Sequence, residues 1–373
     1  MSGASTGTRV PFLDLRAVHV ELREELAAAA LRVLDSDRVL LGPELAAFEQ
    51  EWARFTGAGH AVGVGNGLDA LTLGLRALGV GPGDEVLVPS HTFVATWLAV
   101  VHAGGTPVSV DVSPLTGAWE ADAVQAAVTA RTRAMVPVHL YGHPVDLDPL
   151  LDVAARHGLA VLDDAAQAHG ATYRGRPLGG LTSATAWSFY PGKNLGALGD
   201  GGAVTTSDDD VAQRLRSLRN YGSAEKYVHT EIGWNSRLDE LQAALLSVKL
   251  RRLDEHNARR AALAARYTER LAGSALVLPT TVERATAVWH LYVVRTPHRA
   301  ALRDHLGAHG VETLVHYPVP PHRQPAFAGT PVAAASLPGA DTLAREVLSL
   351  PMGPHLTEEQ QDTVIDAIES FRP

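Results

Sequence analysis

Between residues 61 and 207 the chain alternates short apolar runs with amphipathic stretches and glycine or proline turns, a rhythm that predicts strands alternating with helices. The predicted strands cover residues 61–64, 85–89, 107–112, 134–140, 159–162, 184–189 and 202–205, and the clearest helical periods are 68–78 and 147–157. Short apolar strands separated by helices imply an α/β fold whose seven-stranded sheet is mostly parallel and covered on both faces.

After Asn220 the rhythm changes. A polar loop, 221–235, leads into a long helical period with Leu238, Leu241, Leu245 and Val248 on one stripe. Ser236 followed by Asp239 has the spacing of a capping box, which predicts that the helix begins there. A strand is predicted at 288–296 and a helix at 297–309; a proline-rich stretch, 318–338, precedes two further helices at 340–349 and 357–370. The expected division is a large domain, 1–250, that includes the start of the connecting helix, and a smaller α/β domain, 251–373.

With 46% apolar and 20% charged residues in 373, the composition is that of a globular chain. The formal charge of −9 and the lack of a basic run leave no general attraction for nucleic acid or anionic lipid, so an anionic ligand must be held by a few placed groups. The absence of cysteine excludes disulfides, thiolate zinc sites and a cysteine nucleophile. Residues 1–9 are small and polar, and the most apolar later run, 93–110, is broken by His102, Gly104, Gly105 and Pro107. No leader or membrane span is expected, and the location implied is the cytoplasm.

Only three of the 32 basic residues are lysine. Lys249 sits in the long helical period beside Arg251 and Arg252, and Lys226 in a polar loop; both read as solvated charges, as do the pairs Arg251–Arg252 and Arg259–Arg260. Lys193 differs: it lies in Ser188-Phe-Tyr-Pro-Gly-Lys-Asn-Leu-Gly196, a tight turn after a predicted strand, where an amine can reach a cofactor aldehyde. Asp163 and Asp164 close another predicted strand, at the edge where open α/β sheets bind ligands. One of them can hold a pyridinium proton, the other a helix N-terminus. Gly63-Val-Gly-Asn-Gly-Leu-Asp-Ala-Leu71 places a glycine-rich turn before a helix, a site for phosphate, with Asn66 as a helix cap and Ser188 as a second donor. Asp69 in that first turn would repel a phosphate unless it points away.

These elements resemble the DegT/StrS group of fold-type I, pyridoxal-phosphate-dependent nucleotide-sugar aminotransferases. The resemblance runs from Pro11-Phe-Leu-Asp-Leu15 to Leu348-Ser-Leu-Pro351. It is most specific at Asp164-Ala-Ala-Gln-Ala-His-Gly170, at the Lys193 turn, at Gly199-Asp-Gly-Gly202 and at Asn235-Ser-Arg-Leu-Asp-Glu-Leu-Gln-Ala243. It implies that Lys193 bonds pyridoxal 5'-phosphate as a Schiff base and later shuttles the proton, with pyridoxamine 5'-phosphate as the intermediate form. Asp164 would pair with the pyridine nitrogen, Gln167 would contact the phenolic oxygen and Phe93 would stack on the ring. Gly67, Leu68 and Ser188 would hold the phosphate. The group also implies a homodimer with shared active sites, Asn235 reaching the phosphate of the other subunit.

Within the group, Ala95-Thr-Trp-Leu-Ala-Val100, Val138-His-Leu-Tyr-Gly142, Arg219-Asn-Tyr-Gly222, Val288-Trp-His-Leu-Tyr292 and Val315-His-Tyr-Pro-Val-Pro-Pro-His322 are most similar to enzymes that aminate C3 of TDP-linked 3-keto-6-deoxyhexoses. That similarity implies L-glutamate as amino donor and Tyr190, His316 and Tyr317 in the sugar pocket; Arg219, Lys226 and Arg237 are candidates for the pyrophosphate. The alternatives are amination at C4 of a 4-keto sugar nucleotide, amination of a keto-cyclitol, and a non-catalytic cofactor-binding regulator. A related dehydratase would carry histidine in place of Lys193. No metal is expected: His139 and His143 are four apart, but Gly142 and Pro144 disfavour a helix and no third ligand is near.

Overall fold

The computed structural model describes residues 9–372; the polar segment 1–8 and Pro373 lie outside them. A strand forms at each of the seven predicted places, β1 His60–Val64, β2 Glu85–Pro89, β3 Thr106–Val110, β4 Thr132–Met135, β5 Ala160–Asp164, β6 Ala184–Ser188 and β7 Gly202–Thr206, but β4 stops at Met135 and not at Leu140, which opens a 3-10 turn. They make one sheet in the order β1-β7-β6-β5-β4-β2-β3. β7 runs antiparallel to both of its neighbours, and the other adjacent pairs are parallel. The carboxyl ends of β1, β2, β5 and β6 therefore share one edge.

Alternation along the strands divides the core into two layers. Val62, Val64, Val86, Val88 and Leu162 face a cluster with Leu71, Leu73, Trp97 and Leu215, from helices α4 (Gly67–Ala77), α5 (Val94–His102) and α8 (Asp209–Leu218). Ala61, Leu87, Val161 and Trp187 face Phe48, Trp52, Leu147, Leu150 and Leu246, from α3 (Pro43–Thr56), α7 (Leu147–His157) and α9 (Glu240–Leu250). Burial on both faces explains why these strands read as continuous apolar runs. Two helices precede α3, α1 at Leu15–Glu21 and α2 at Arg23–Leu34, and α6 covers Ala121–Ala127. Leu22, Leu26, Ala29 and Val33 pack against Ala244, Leu245 and Val248.

The connecting helix departs from its predicted form. It begins at Glu240, with Asp239 as the cap accepting from the Gln242 N–H at 2.7 Å, and not at Ser236. It also breaks at Arg251–Arg252, and α10 (Leu253–Leu271) continues beyond the break. Glu240 explains the later start: it is buried, and its carboxylate accepts from the backbone N–H groups of Gly42, Glu44 and Leu45 at 2.8–3.1 Å. Those are the open donors at the first turn of α3, whose own cap residue, Gly42, has no side chain to offer.

The smaller unit packs α10, α11 (Arg299–Ala308) and α13 (Glu358–Ser370) around an antiparallel pair, β8 (Tyr292–Arg295) and β9 (Val347–Leu350). Residues 347–349, predicted as the end of a helix, belong to strand β9: α12 (Pro338–Glu346) stops before them, and the fully buried run that follows pairs with β8. Val10 belongs to this second core and bridges to Val311, so the start of the described chain sits with the smaller unit. The expected division at 250/251 falls in the turn between α9 and α10. Among the described residues, no helix is long and apolar enough to cross a membrane.

Candidate active site

The site lies where the shared strand edge meets the smaller unit. Asp164, the last residue of β5, is buried; its Oδ2 accepts from Thr96 Oγ1 at 2.8 Å and its Oδ1 from the Ala166 N–H at 3.2 Å. Burial raises its pKa, opposed by these hydrogen bonds and by the charge of Lys193. Asp163 points to the opposite face, as strand alternation requires, and accepts from Thr182 Oγ1 at 3.1 Å. Neither residue caps a helix.

Lys193 sits in a turn closed by its own N–H bonding to the Tyr190 carbonyl at 2.8 Å. Among the described residues its amine has no hydrogen-bond partner, and burial lowers its pKa to about 8 against the pull of Asp164. A neutral, nucleophilic amine is thereby brought within reach of neutral pH.

The phosphate cradle is set by close packing. A Cβ on Gly67 would stand 2.5 Å from Ser188 Cβ, and one on Gly202 2.4 Å from the Asn66 carbonyl, so both positions require glycine. Asn66 caps α4 by accepting from the Asp69 N–H at 2.9 Å, which leaves the N–H groups of Gly67 and Leu68 at the mouth of the helix beside Ser188. Asp69 is turned aside, its carboxylate accepting from Ser236 Oγ at 2.6 Å.

Gln167 is oriented from both ends: its Oε1 accepts from the Tyr141 N–H at 2.6 Å, and its Nε2 donates to Tyr317 Oη at 3.1 Å. Phe93 is 51% exposed at the start of α5, its ring centroid 5.4 Å from that of Tyr317. His316 and Tyr317 come from the smaller unit. The Tyr141 hydroxyl donates to the His316 carbonyl and lies 2.9 Å from His91 Nε2, while His316 Nδ1 pairs with Ser349 Oγ at 2.8 Å. Burial lowers the pKa values of His91 and His316 to about 4, so both rings are neutral. Tyr190 is exposed beside the Lys193 turn.

Several expectations need correction. Arg219 is buried, and its guanidinium pairs with Glu49 at 2.5 Å and donates to the Gly63 carbonyl at 2.8 Å; it holds the β1 turn and has no free face for a pyrophosphate. Lys249 and Arg260, read as solvated, are buried. Lys226 is exposed as expected, in a short hairpin, 5.0 Å from the Tyr227 ring centroid. Asn235 is exposed and accepts from Arg237, which also donates to Asn220 Oδ1 at 3.1 Å. His139 and His143 diverge: Nδ1 of His139 accepts from the Val145 N–H at 3.2 Å, and His143 packs edge-on to Trp289.

Thr96, Tyr141 and His91 also shape the site, and Thr96 and Tyr141 lie within motifs quoted above for other reasons. The signal for Tyr141 is its place in Val138-His-Leu-Tyr-Gly142; its φ of 62° lies in the left-handed region, and its N–H donates to Gln167 Oε1.

The cradle, the buried carboxylate and the unpartnered amine together fit pyridoxal phosphate: two free N–H groups and a hydroxyl for its phosphate, an anion for its ring nitrogen, a nucleophile for its aldehyde.

The sequence matches the profile of the DegT/DnrJ/EryC1/StrS aminotransferase family over residues 20–369. It is 56% identical, over 100% of this chain and 98% of the relative, to the dTDP-3-amino-3,4,6-trideoxy-alpha-D-glucose transaminase of Streptomyces venezuelae. It is 54% identical, over 97% and 99%, to the erythromycin biosynthesis sensory transduction protein EryC1 of Saccharopolyspora erythraea. Among solved structures, S. venezuelae DesV in complex with a ketimine intermediate superposes with a TM-score of 0.95 at 57% identity, over 96% of this chain and 97% of that one.

Proposed function

The chain belongs to the DegT/DnrJ/EryC1/StrS aminotransferase family, and from that premise we propose that it transfers an amino group from L-glutamate to the C3 ketone of a TDP-linked 3-keto-6-deoxyhexose. The observation that carries the reading is the convergence of Asp164, Lys193 and the Gly67–Ser188 cradle on one sheet edge, in a chain 56% identical to a transaminase that forms a 3-amino sugar nucleotide.

Bound pyridoxal phosphate supplies an electron sink for the carbanion formed at the substrate carbon. The N–H groups of Gly67 and Leu68, with the Ser188 hydroxyl, hold its phosphate, and Asp164 keeps its ring nitrogen protonated. Thr96 and the Ala166 N–H orient that carboxylate from behind. The Tyr141 N–H holds the Gln167 carbonyl oxygen, which turns the amide nitrogen to Tyr317; that nitrogen would face the cofactor's phenolic oxygen. Lys193 Nζ would hold the aldehyde and, once free, would carry the proton to and from the substrate carbon, a task suited to its lowered pKa. Phe93 covers one ring face. Tyr190, His316 and Tyr317 offer phenol and neutral imidazole groups to sugar hydroxyls.

A homodimer is supported by an apolar surface on the single chain. Val39, Leu40, Leu41, Leu198 and Leu241 are all exposed, yet neighbours: the Glu240 N–H bonds the Val39 carbonyl at 3.4 Å, and the Leu198 N–H bonds Gln242 Oε1 at 2.8 Å. Asn235 and Lys226 are exposed, and Asn235 and Arg237 precede α9; these are the groups we assign to a partner's phosphate groups.

Incubation of the purified protein with glutamate and a panel of TDP-3-keto and TDP-4-keto sugars tests this. The expected products are 2-oxoglutarate and a 3-amino sugar nucleotide, identified by mass and NMR. A 4-amino product would overturn the regiochemistry, and no turnover of glutamate would leave a cofactor-binding protein.

A further inference from the structure

The Lys193 turn has a back side. Behind it lies a narrow cavity of ≈30 Å³, lined by His19, Lys193, Lys249, His256 and Arg260 together with Leu13, Pro191 and Gly196. Lys249 and Arg260 are only 6% and 3% exposed, and among the described residues neither pairs with a carboxylate. The Lys249 amine donates to the Gly196 carbonyl at 2.7 Å and lies 3.2 Å from His19 Nε2. Arg260 has only carbonyl partners, those of Trp289, His290 and Met352, at 3.3–3.5 Å through one nitrogen. His256, on the cavity wall, pairs at 3.3 Å with Glu21. That acid does not line the cavity and is shared among Arg252, Arg259, His256 and His355.

Two buried cations without a counter-charge are a costly arrangement. A guanidinium cannot relieve it by losing its proton. Water would satisfy the N–H groups but leave the charge uncompensated. A cavity of this size has room for about two water molecules, which admits a halide and excludes phosphate.

We propose that the cavity binds a small monovalent anion of halide size, between Lys249 and Arg260. The anion keeps Lys249 charged and so strengthens the bond it donates to Gly196, whose turn carries Lys193. That turn has no slack: a Cβ on Gly196 would lie 2.3 Å from the Pro191 carbonyl.

The test uses the holoenzyme. Crystals grown in bromide should give an anomalous peak within hydrogen-bond distance of Lys249 Nζ. In solution, chloride or bromide should raise Tm by about 2 °C in a saturable way, while sodium gluconate at equal ionic strength should not. Lys249→Met should abolish both responses. No bromide peak would overturn the proposal, as would an equal Tm rise in gluconate. A peak without a saturable halide response would mark an adventitious ion only, and would overturn it as well. If Lys249→Met does not fold, the two wild-type measurements decide.

Discussion

Asp164 and Ser188 end adjacent parallel strands, and the ladder that pairs Asp164 with Ala186 sets their spacing before any side chain is considered. His316 and Tyr317 stand on an irregular segment of the smaller unit, held by the Tyr141 hydroxyl, Gln167 Nε2 and Ser349 Oγ. Both regions line one cleft, but the first is positioned by backbone and the second by side chains. Chemistry that must not vary is carried by the sheet, whereas recognition of a particular sugar rests on a few replaceable hydrogen bonds. Damage to the first region should stop or slow every half-reaction; damage to the second should tune affinity for one substrate.

The sharpest way to break this contrast is Lys193→Ala. The variant should retain cofactor but complete no multiple turnovers; sustained product formation would remove Lys193 from its role. Asp164→Asn should lower kcat in both half-reactions by on the order of 10²–10⁴-fold with cofactor retained, measured by stopped-flow absorbance. Arg219→Met probes a residue whose role is structural. It should cost about 3–5 kcal/mol in urea unfolding, because Glu49 loses its partner, while the sugar KM of the folded fraction stays the same. The pH dependence follows from the burial of Lys193. Only the neutral amine captures the aldehyde, so recombination of apoenzyme with pyridoxal phosphate should fall as pH drops below a midpoint of about 8. A midpoint near that of free lysine would contradict the burial. Tyr141→Phe leaves Gln167 in place but frees the His316 carbonyl. The loss of about 1 kcal/mol should raise the sugar KM about fivefold, with the glutamate half-reaction unchanged.

The two regions also differ in how far they could be read from residue order. The seven sheet strands, Lys193, Asp164, the Asn66 cap and the glycine cradle were legible because each is local: a short apolar run, a turn, a carboxylate at a strand end. Residues 347–349 were not, since a short buried run has the same pattern in a helix as in a strand, and only pairing with β8 settles it. The helix start at Ser236 failed for a related reason. Its hydroxyl is engaged by Asp69 and the Gly65 N–H, and Glu240 is engaged by the first turn of α3, partners about 170 to 200 residues away in the chain.

Charge shows the division most plainly. Residue order alone determined that lysine is scarce, that a lysine turn follows one sheet strand and an aspartate pair ends another, and that the chain folds as a mostly parallel α/β layer, because these depend on composition and on periodicities of a few residues. Which charges are solvated was decided only by tertiary packing. Lys226 projects into solvent, Lys249 and Arg260 are buried beneath the Lys193 turn, and Arg219 is spent on Glu49. Burial is set by elements distant in the chain, and so leaves no local pattern to read.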